Sequence, residues 1–335
     1  MTAPLCDTAS RRQKGPEWPR ITECTSALGI RTLLLVRTLF GERVFRWLLR
    51  PILAMYWLSS ARLRVVVGAW QKRAHARTQC LAPWQGQVCL GSGVAQLERF
   101  ALAILEKFIA LSGNGRPAEV ESVGETFFLT DPPDRAMVLL TSHTGCQELL
   151  LSRAGTVTNR PFVILQHTAH ARRFNALLGE ARRKNSSAAT QAPESVFIEI
   201  GAELSPAVVM TLSEYAAKGA CIVLAGDRVP MGSDAAQAVP FFGDKARFPT
   251  GGALLAMLLG VPLRMMICTR PSSAERRYRV RFVTLCEKPT RLRRNAREAW
   301  LAEMAAAYAT TLEAELSTSP FDWANFFDFW EEFKA

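Results

Sequence analysis

Met137-Val138-Leu139-Leu140-Thr141-Ser142-His143-Thr144-Gly145-Cys146-Gln147-Glu148 decides the fold. An unbroken apolar run passes into a short polar turn with a glycine, which is how a strand buried on both faces ends in a parallel sheet. Working outward, similar short runs occupy 126–129, 162–166, 196–200, 221–225, 263–268 and 278–285. Helical patterns stand between them, at about 146–155, 205–218, 250–260 and 294–316. Strands that alternate with helices predict an α/β fold: a mixed, largely parallel sheet flanked by helices.

Upstream the period is helical from about 26 to 112, with a break around Ala82-Pro83-Trp84-Gln85-Gly86. Residues 1–25 read as a polar lead with Pro4, Pro16 and Pro19, and no signal peptide is expected there. The organisation is therefore a lead (1–25), a helical region at the membrane interface (26–112) and an α/β core (113–335), with 26–335 as one folded unit. Asn185-Ser186-Ser187-Ala188-Ala189-Thr190-Gln191 reads as a loop.

The chain has 335 residues, 49% hydrophobic and 21% charged, which excludes a disordered polymer. Forty-one Lys and Arg against 30 Asp and Glu leave a net charge of +11, which suits an anionic partner. The eight cysteines are scattered with no C-x-x-C pair, so zinc-finger and disulfide-scaffold readings are weak and reduced thiols are expected. Basic clusters stand at Arg172-Arg173, Arg182-Arg183-Lys184 and Arg291/Arg293/Arg294/Arg297. No nucleic-acid motif accompanies them, and nucleic acid is not expected as a partner.

The stretch 30–60 is apolar but interrupted by Arg31, Arg37, Glu42, Arg43, Arg46 and Arg50, which leaves it too short of uncharged residues to span a bilayer. At about 100° per residue all of these except Arg37 share one sector, opposite Leu33, Leu34, Phe40, Phe45 and Leu48. That pattern predicts a helix lying in the membrane plane on its apolar side, with Phe45 and Leu48 facing lipid; packing on the protein's own core is the alternative. Pro51 is expected to end or kink this helix.

Chemistry is expected at the carboxyl ends of the strands. His143 is one of four histidines, and Glu148 follows five residues later. A carboxylate on one ring nitrogen would fix the tautomer and make the other nitrogen a general base. Two other readings of the segment stay open: Cys146 as a thiolate nucleophile, or a metal held by His143, Glu148, His167 and His170. A second constellation, Gly226-Asp227-Arg228, follows the strand at 221–225. Beyond it lie Phe241-Phe242-Gly243 and Phe248-Pro249-Thr250-Gly251-Gly252, whose aromatics could line a greasy channel or fill the core. Phe321 to Trp330 holds six aromatics in ten residues; as a short helix it would be buried nearly all round or dock on lipid.

Taken in order, these pieces resemble the bacterial lipid A late acyltransferases (lauroyl/myristoyl transferases) of the lysophospholipid acyltransferase superfamily, in the branch of predicted acyltransferases. The resemblance rests on His143-x4-Glu148, Gln166-His167-Thr168-Ala169-His170-Ala171-Arg172-Arg173, Gly226-Asp227-Arg228, Phe241-Phe242-Gly243 with Phe248-Pro249, and the aromatic tail. It runs over roughly 25–330. Thr144 and Cys146 depart from the Leu and Asn of many members. The resemblance implies His143 as general base with Glu148 orienting it. Asp227, Arg228 and Gly145 become candidates for substrate or oxyanion contacts, and Phe241, Phe242 and Phe248 for an acyl channel. It implies transfer of a fatty acyl chain from acyl carrier protein or coenzyme A to a lipid or glycolipid hydroxyl, without metal or cofactor, at the cytoplasmic face of the inner membrane. A hydrolase using the same residues, or a non-catalytic lipid-binding protein, are the alternatives.

Overall fold

The computed structural model describes residues 27–78, 89–112, 117–147, 149, 158–166, 195–201, 204–230, 232–271 and 275–330. Three helices come first: α1 (Ala27–Ser59), α2 (Ala61–Thr78) and α3 (Leu90–Ser112). The sheet strands are β1 (Glu119–Gly124), β2 (Met137–Thr141), β3 (Phe162–Gln166), β4 (Ser195–Glu199), β5 (Cys221–Ala225), β8 (Leu263–Thr269) and β9 (Arg277–Cys286), with the hairpin β6 (Ala236–Phe241) and β7 (Asp244–Pro249) between β5 and β8. The remaining helices are α4 (Phe127–Thr130), α5 (Pro206–Ala217), α6 (Gly251–Leu259) and α7 (Arg294–Thr318), followed by a 3-10 turn (Pro320–Asp322).

The seven strands run in the order β1-β9-β8-β2-β5-β3-β4, and only the β8–β9 pairing is antiparallel. This is the expected α/β architecture. The central strand β2 is buried along its whole length, because neighbours flank both edges and helices cover both faces. Alternate residues supply the two sides. Val138, Leu140, Val163, Leu165, Ile222 and Leu224 pack under α6, α7 and the hairpin. Met137, Leu139, Phe162, Cys221 and Val223 pack with Cys268, Tyr278 and Phe282 on the other side. Each such side chain contributes about 1.5–3 kcal/mol through burial.

Four expectations are corrected. The run at 126–129 forms the helical turn α4, its Phe127 ring packed on Phe282, because a short apolar run does not by itself distinguish helix from strand. Pro51 lies inside α1 on its exposed side, and the non-helical backbone is at Gly41 (φ 80°, ψ 176°). Phe45 is 3% exposed and packs with Leu49 on Leu102, Leu105 and Ile109 of α3. The tail is not an α-helix: it passes from the 3-10 turn into an extended strap.

Three charges of α1 are paired toward the protein, while Arg43 stays exposed. Arg46 and Arg50 bind Glu98 at 2.8 and 3.1 Å, while Glu42 binds Arg270 and Arg276 at 3.0 Å each. The exposed side of α1 is mostly apolar, with Leu39, Phe40, Val44, Trp47, Leu48, Ile52, Met55 and Leu58 beside Arg43 and Arg50. No single helix among the described residues is long and apolar enough to cross a membrane. The segments Leu39–Ser59 and Ala61–Arg77 meet that measure only together, bent by 100°.

Candidate active site

Parallel pairing of β2 with β5 puts Thr141 opposite Ala225 at the carboxyl ends of the two strands. Each chain then runs two residues further, so His143 and Asp227 arrive side by side. The Gly226 N–H bonds the Thr141 carbonyl at 2.8 Å, extending the ladder by one step. The Tyr308 hydroxyl of α7 donates to the same carbonyl at 2.6 Å.

Asp227 is fully buried, and both of its oxygens are occupied. Oδ1 lies 2.7 Å from His143 Nδ1, while Oδ2 accepts from the His143 backbone N–H at 2.9 Å and from Trp323 Nε1 at 3.1 Å. Burial alone would raise this carboxyl. The charge and hydrogen bonds of His143, together with Arg228, outweigh burial and hold it well below the ordinary carboxylate range. An ionised carboxylate can only accept, so Nδ1 donates to it, and in the neutral ring the lone pair is then on Nε2. The imidazole is 37% exposed, so the ring is open to a reactant.

The strap carries the other side of the site. Thr144 and Trp323 form an antiparallel bridge, in which Ala324 N–H donates to the His143 carbonyl at 2.8 Å and Gly145 N–H to the Asp322 carbonyl at 3.3 Å. Arg228 Nη2 donates to the Ala324 carbonyl at 2.6 Å, with its guanidinium 5.6 Å from the Phe327 ring centroid. Burial lowers the Arg228 pKa, and Asp227 opposes that shift. Beneath the strap, Asp322 accepts from the Arg270 N–H at 2.5 Å and lies 3.6 Å from Arg99. Burial pushes its carboxyl up to about 6 against those two cations.

The structure thus brings His143, Gly145, Asp227 and Arg228 together. The Gly145 N–H is committed to Asp322, which leaves that group no free donor for an oxyanion. The residue is a glycine for another reason: φ is +51°, and a Cβ would strike the Cys268 carbonyl oxygen. Phe241, Phe242 and Phe248 are buried in a cluster with Trp70, Trp323, Phe329 and Trp330, so they sit in the core. Cys146 is buried among Met137, Leu139 and Cys268, on the far face of the sheet from that cluster. Among the described residues no group of three or more His, Cys, Asp and Glu side chains is placed to hold a metal.

Glu148, His167 and His170, the loop at 185–191 and the basic clusters at 172–173 and 182–184 lie outside the described residues. Within those residues the carboxylate on His143 is Asp227. Trp323 and Tyr308 were not singled out by the sequence reading; the only signal for Trp323 was the density of aromatics around it. No protein-family model matches the chain, and no curated protein matches it.

Proposed function

We propose that the chain is a membrane-associated acyltransferase. It moves a fatty acyl chain from an acyl thioester, on acyl carrier protein or coenzyme A, to a hydroxyl of a lipid or glycolipid acceptor. One observation carries the reading: a partly exposed imidazole whose Nδ1 is held at 2.7 Å by a buried, ionised carboxylate, which makes Nε2 the atom to take a proton. Because this arrangement serves any attack by a hydroxyl, the choice of thioester and lipid rests on the motif order and on the apolar face of α1.

The acceptor hydroxyl gives its proton to Nε2 as its oxygen attacks the thioester carbonyl. Asp227 stabilises the imidazolium that forms and holds the ring in register. Base help of this kind is worth about 10²–10⁴ in rate. The tetrahedral oxyanion takes hydrogen bonds from the guanidinium N–H groups of Arg228 that Ala324 does not use. Collapse breaks the C–S bond, the imidazolium proton passes to the departing thiolate, and ester and thiol leave. The thioester is already activated, so no metal or organic cofactor takes part in this scheme. The implied role of Glu148 as orienting carboxylate is filled here by Asp227.

Exposure of the imidazole also favours a second reading, in which water is the attacking group and the protein is a thioester or lipid hydrolase. In the transferase reading the apolar side of α1 holds the protein on the cytoplasmic face of a bacterial inner membrane. The positive charge suits anionic headgroups and an acidic carrier protein alike. The test is mass spectrometry of lipids from wild-type, deletion and His143→Ala cells. An acylated species absent from both mutants is the expected result. If it persists in the His143→Ala strain, the mechanism is wrong; release of free fatty acid with no acylated product would favour the hydrolase.

A further inference from the structure

We infer that Trp323 is a positioning residue for the His143–Asp227 pair, and that the strap Asp322 to Asn325 is part of the site and not only a hydrophobic seal. This deepens the general-base reading above and rests on it. Asp227 Oδ2 receives two N–H groups, from the His143 backbone and from the Trp323 indole. The indole fixes the plane of the carboxylate, so that Oδ1 is aimed at His143 Nδ1. Trp323 is itself held from several sides: by edge-on contacts with Trp70, Phe241, Phe329 and Trp330, by Gln96 Nε2 on its carbonyl at 3.3 Å, and by the bridge to Thr144. Ala324 then ties down the His143 carbonyl and Arg228. One short segment therefore sets the base, its carboxylate and the neighbouring cation.

The cluster contains its own control. Trp330 is as buried as Trp323 and packs in the same aromatic group, with the Arg73 guanidinium over its ring, but its Nε1 has no hydrogen-bond partner among the described residues. Trp323→Phe and Trp330→Phe remove comparable ring volume, yet only the first removes a donor from Asp227. With one donor gone, more of the Asp227 charge falls on the imidazolium, and His143 should titrate higher.

The chain has four histidines, so ring nitrogens of histidine-labelled protein can be followed by NMR and His143 assigned from a His143→Asn variant. The Trp323→Phe midpoint should rise by about half a pH unit or more while Trp330→Phe stays at the wild-type value. The acid limb of kcat/KM should move with it. Equal midpoints in wild type and Trp323→Phe, or equal shifts in both variants, would overturn the inference. If Trp323→Phe does not fold, β-(3-benzothienyl)alanine introduced at position 323 keeps the ring shape and removes only the N–H, and the same two outcomes apply. Failure of the base reading is separate: it shows as acyl transfer surviving in His143→Ala, whatever the titration gives.

Discussion

Asp227 holds three partners without solvent, so its replacement by Asn puts an amide N–H₂ against His143 Nδ1, which must then accept and carry its proton on Nε2 instead. The expected result of Asp227→Asn is a fall in kcat of about 10²–10⁴ with a much smaller change in KM, read from steady-state kinetics on an acyl thioester. A stability loss of about 1–3 kcal/mol should accompany it, because a buried donor is left unpaired. Gly145→Ala should cost at least about 1–2 kcal/mol in denaturant unfolding, since it combines a left-handed backbone with a collision at the Cys268 carbonyl. Both His143 and Asp227 were legible in the sequence, each lying two residues past an apolar run. Their partnership was not, because which strands are neighbours is decided by the sheet order and not by spacing along the chain. The H-x4-E spacing drew attention to Glu148 for the same reason: it is local, and the Asp227 contact spans 84 positions.

Amphipathic helix α1 shows how much an element's pattern says and where it stops. Its two faces are readable from the sequence, but the ion-pair partners of the charged one are not. Glu98 on α3 and Arg270 and Arg276 around β8 and β9 supply partners that turn it inward, and the apolar side is left outside. Trp47 and Met55, 74% and 67% exposed, should therefore govern membrane partition, and Trp47→Glu with Met55→Glu should move the protein to the soluble fraction on ultracentrifugation. Phe45→Glu should instead destabilise the α1–α3 contact by several kcal/mol, because it buries an unpaired charge. The β6–β7 hairpin was missed because its turn lacks the usual residues. Phe242 occupies a left-handed position (φ 50°) ahead of Gly243. The turn holds because Glu313 accepts the Phe242 N–H at 2.7 Å and the ring packs on Trp70 and Phe241. Strand β1 was missed as an exposed edge with polar residues on both faces.

At the scale of the whole molecule, two buried carboxylates pull the pH dependence of stability in opposite directions. Asp227 titrates below its unfolded value, so the stability it contributes is present above about pH 4 and is lost as the pH falls further. Asp322 titrates up to about 6, so the folded chain binds the extra proton between roughly pH 4 and that value, and stability declines as pH rises through the window. Glu106, raised by burial, acts in the same sense as Asp322. Asp322→Asn should flatten the decline between about pH 4 and 6, measured by denaturant unfolding across that range, and Asp227→Asn should weaken the loss below it. The class of fold was readable because runs of apolar residues at strand length recur with helices between them. The strap was not, because its partner, the turn after β2, is far away in the chain. That distance has a consequence in time. A ribosome adding about 5–20 residues per second needs roughly 10–40 s to travel from His143 to Trp323. Asp227 follows His143 by 84 positions, so for the first part of that interval the imidazole has no carboxylate beside it, and for the rest the carboxylate has no indole behind it.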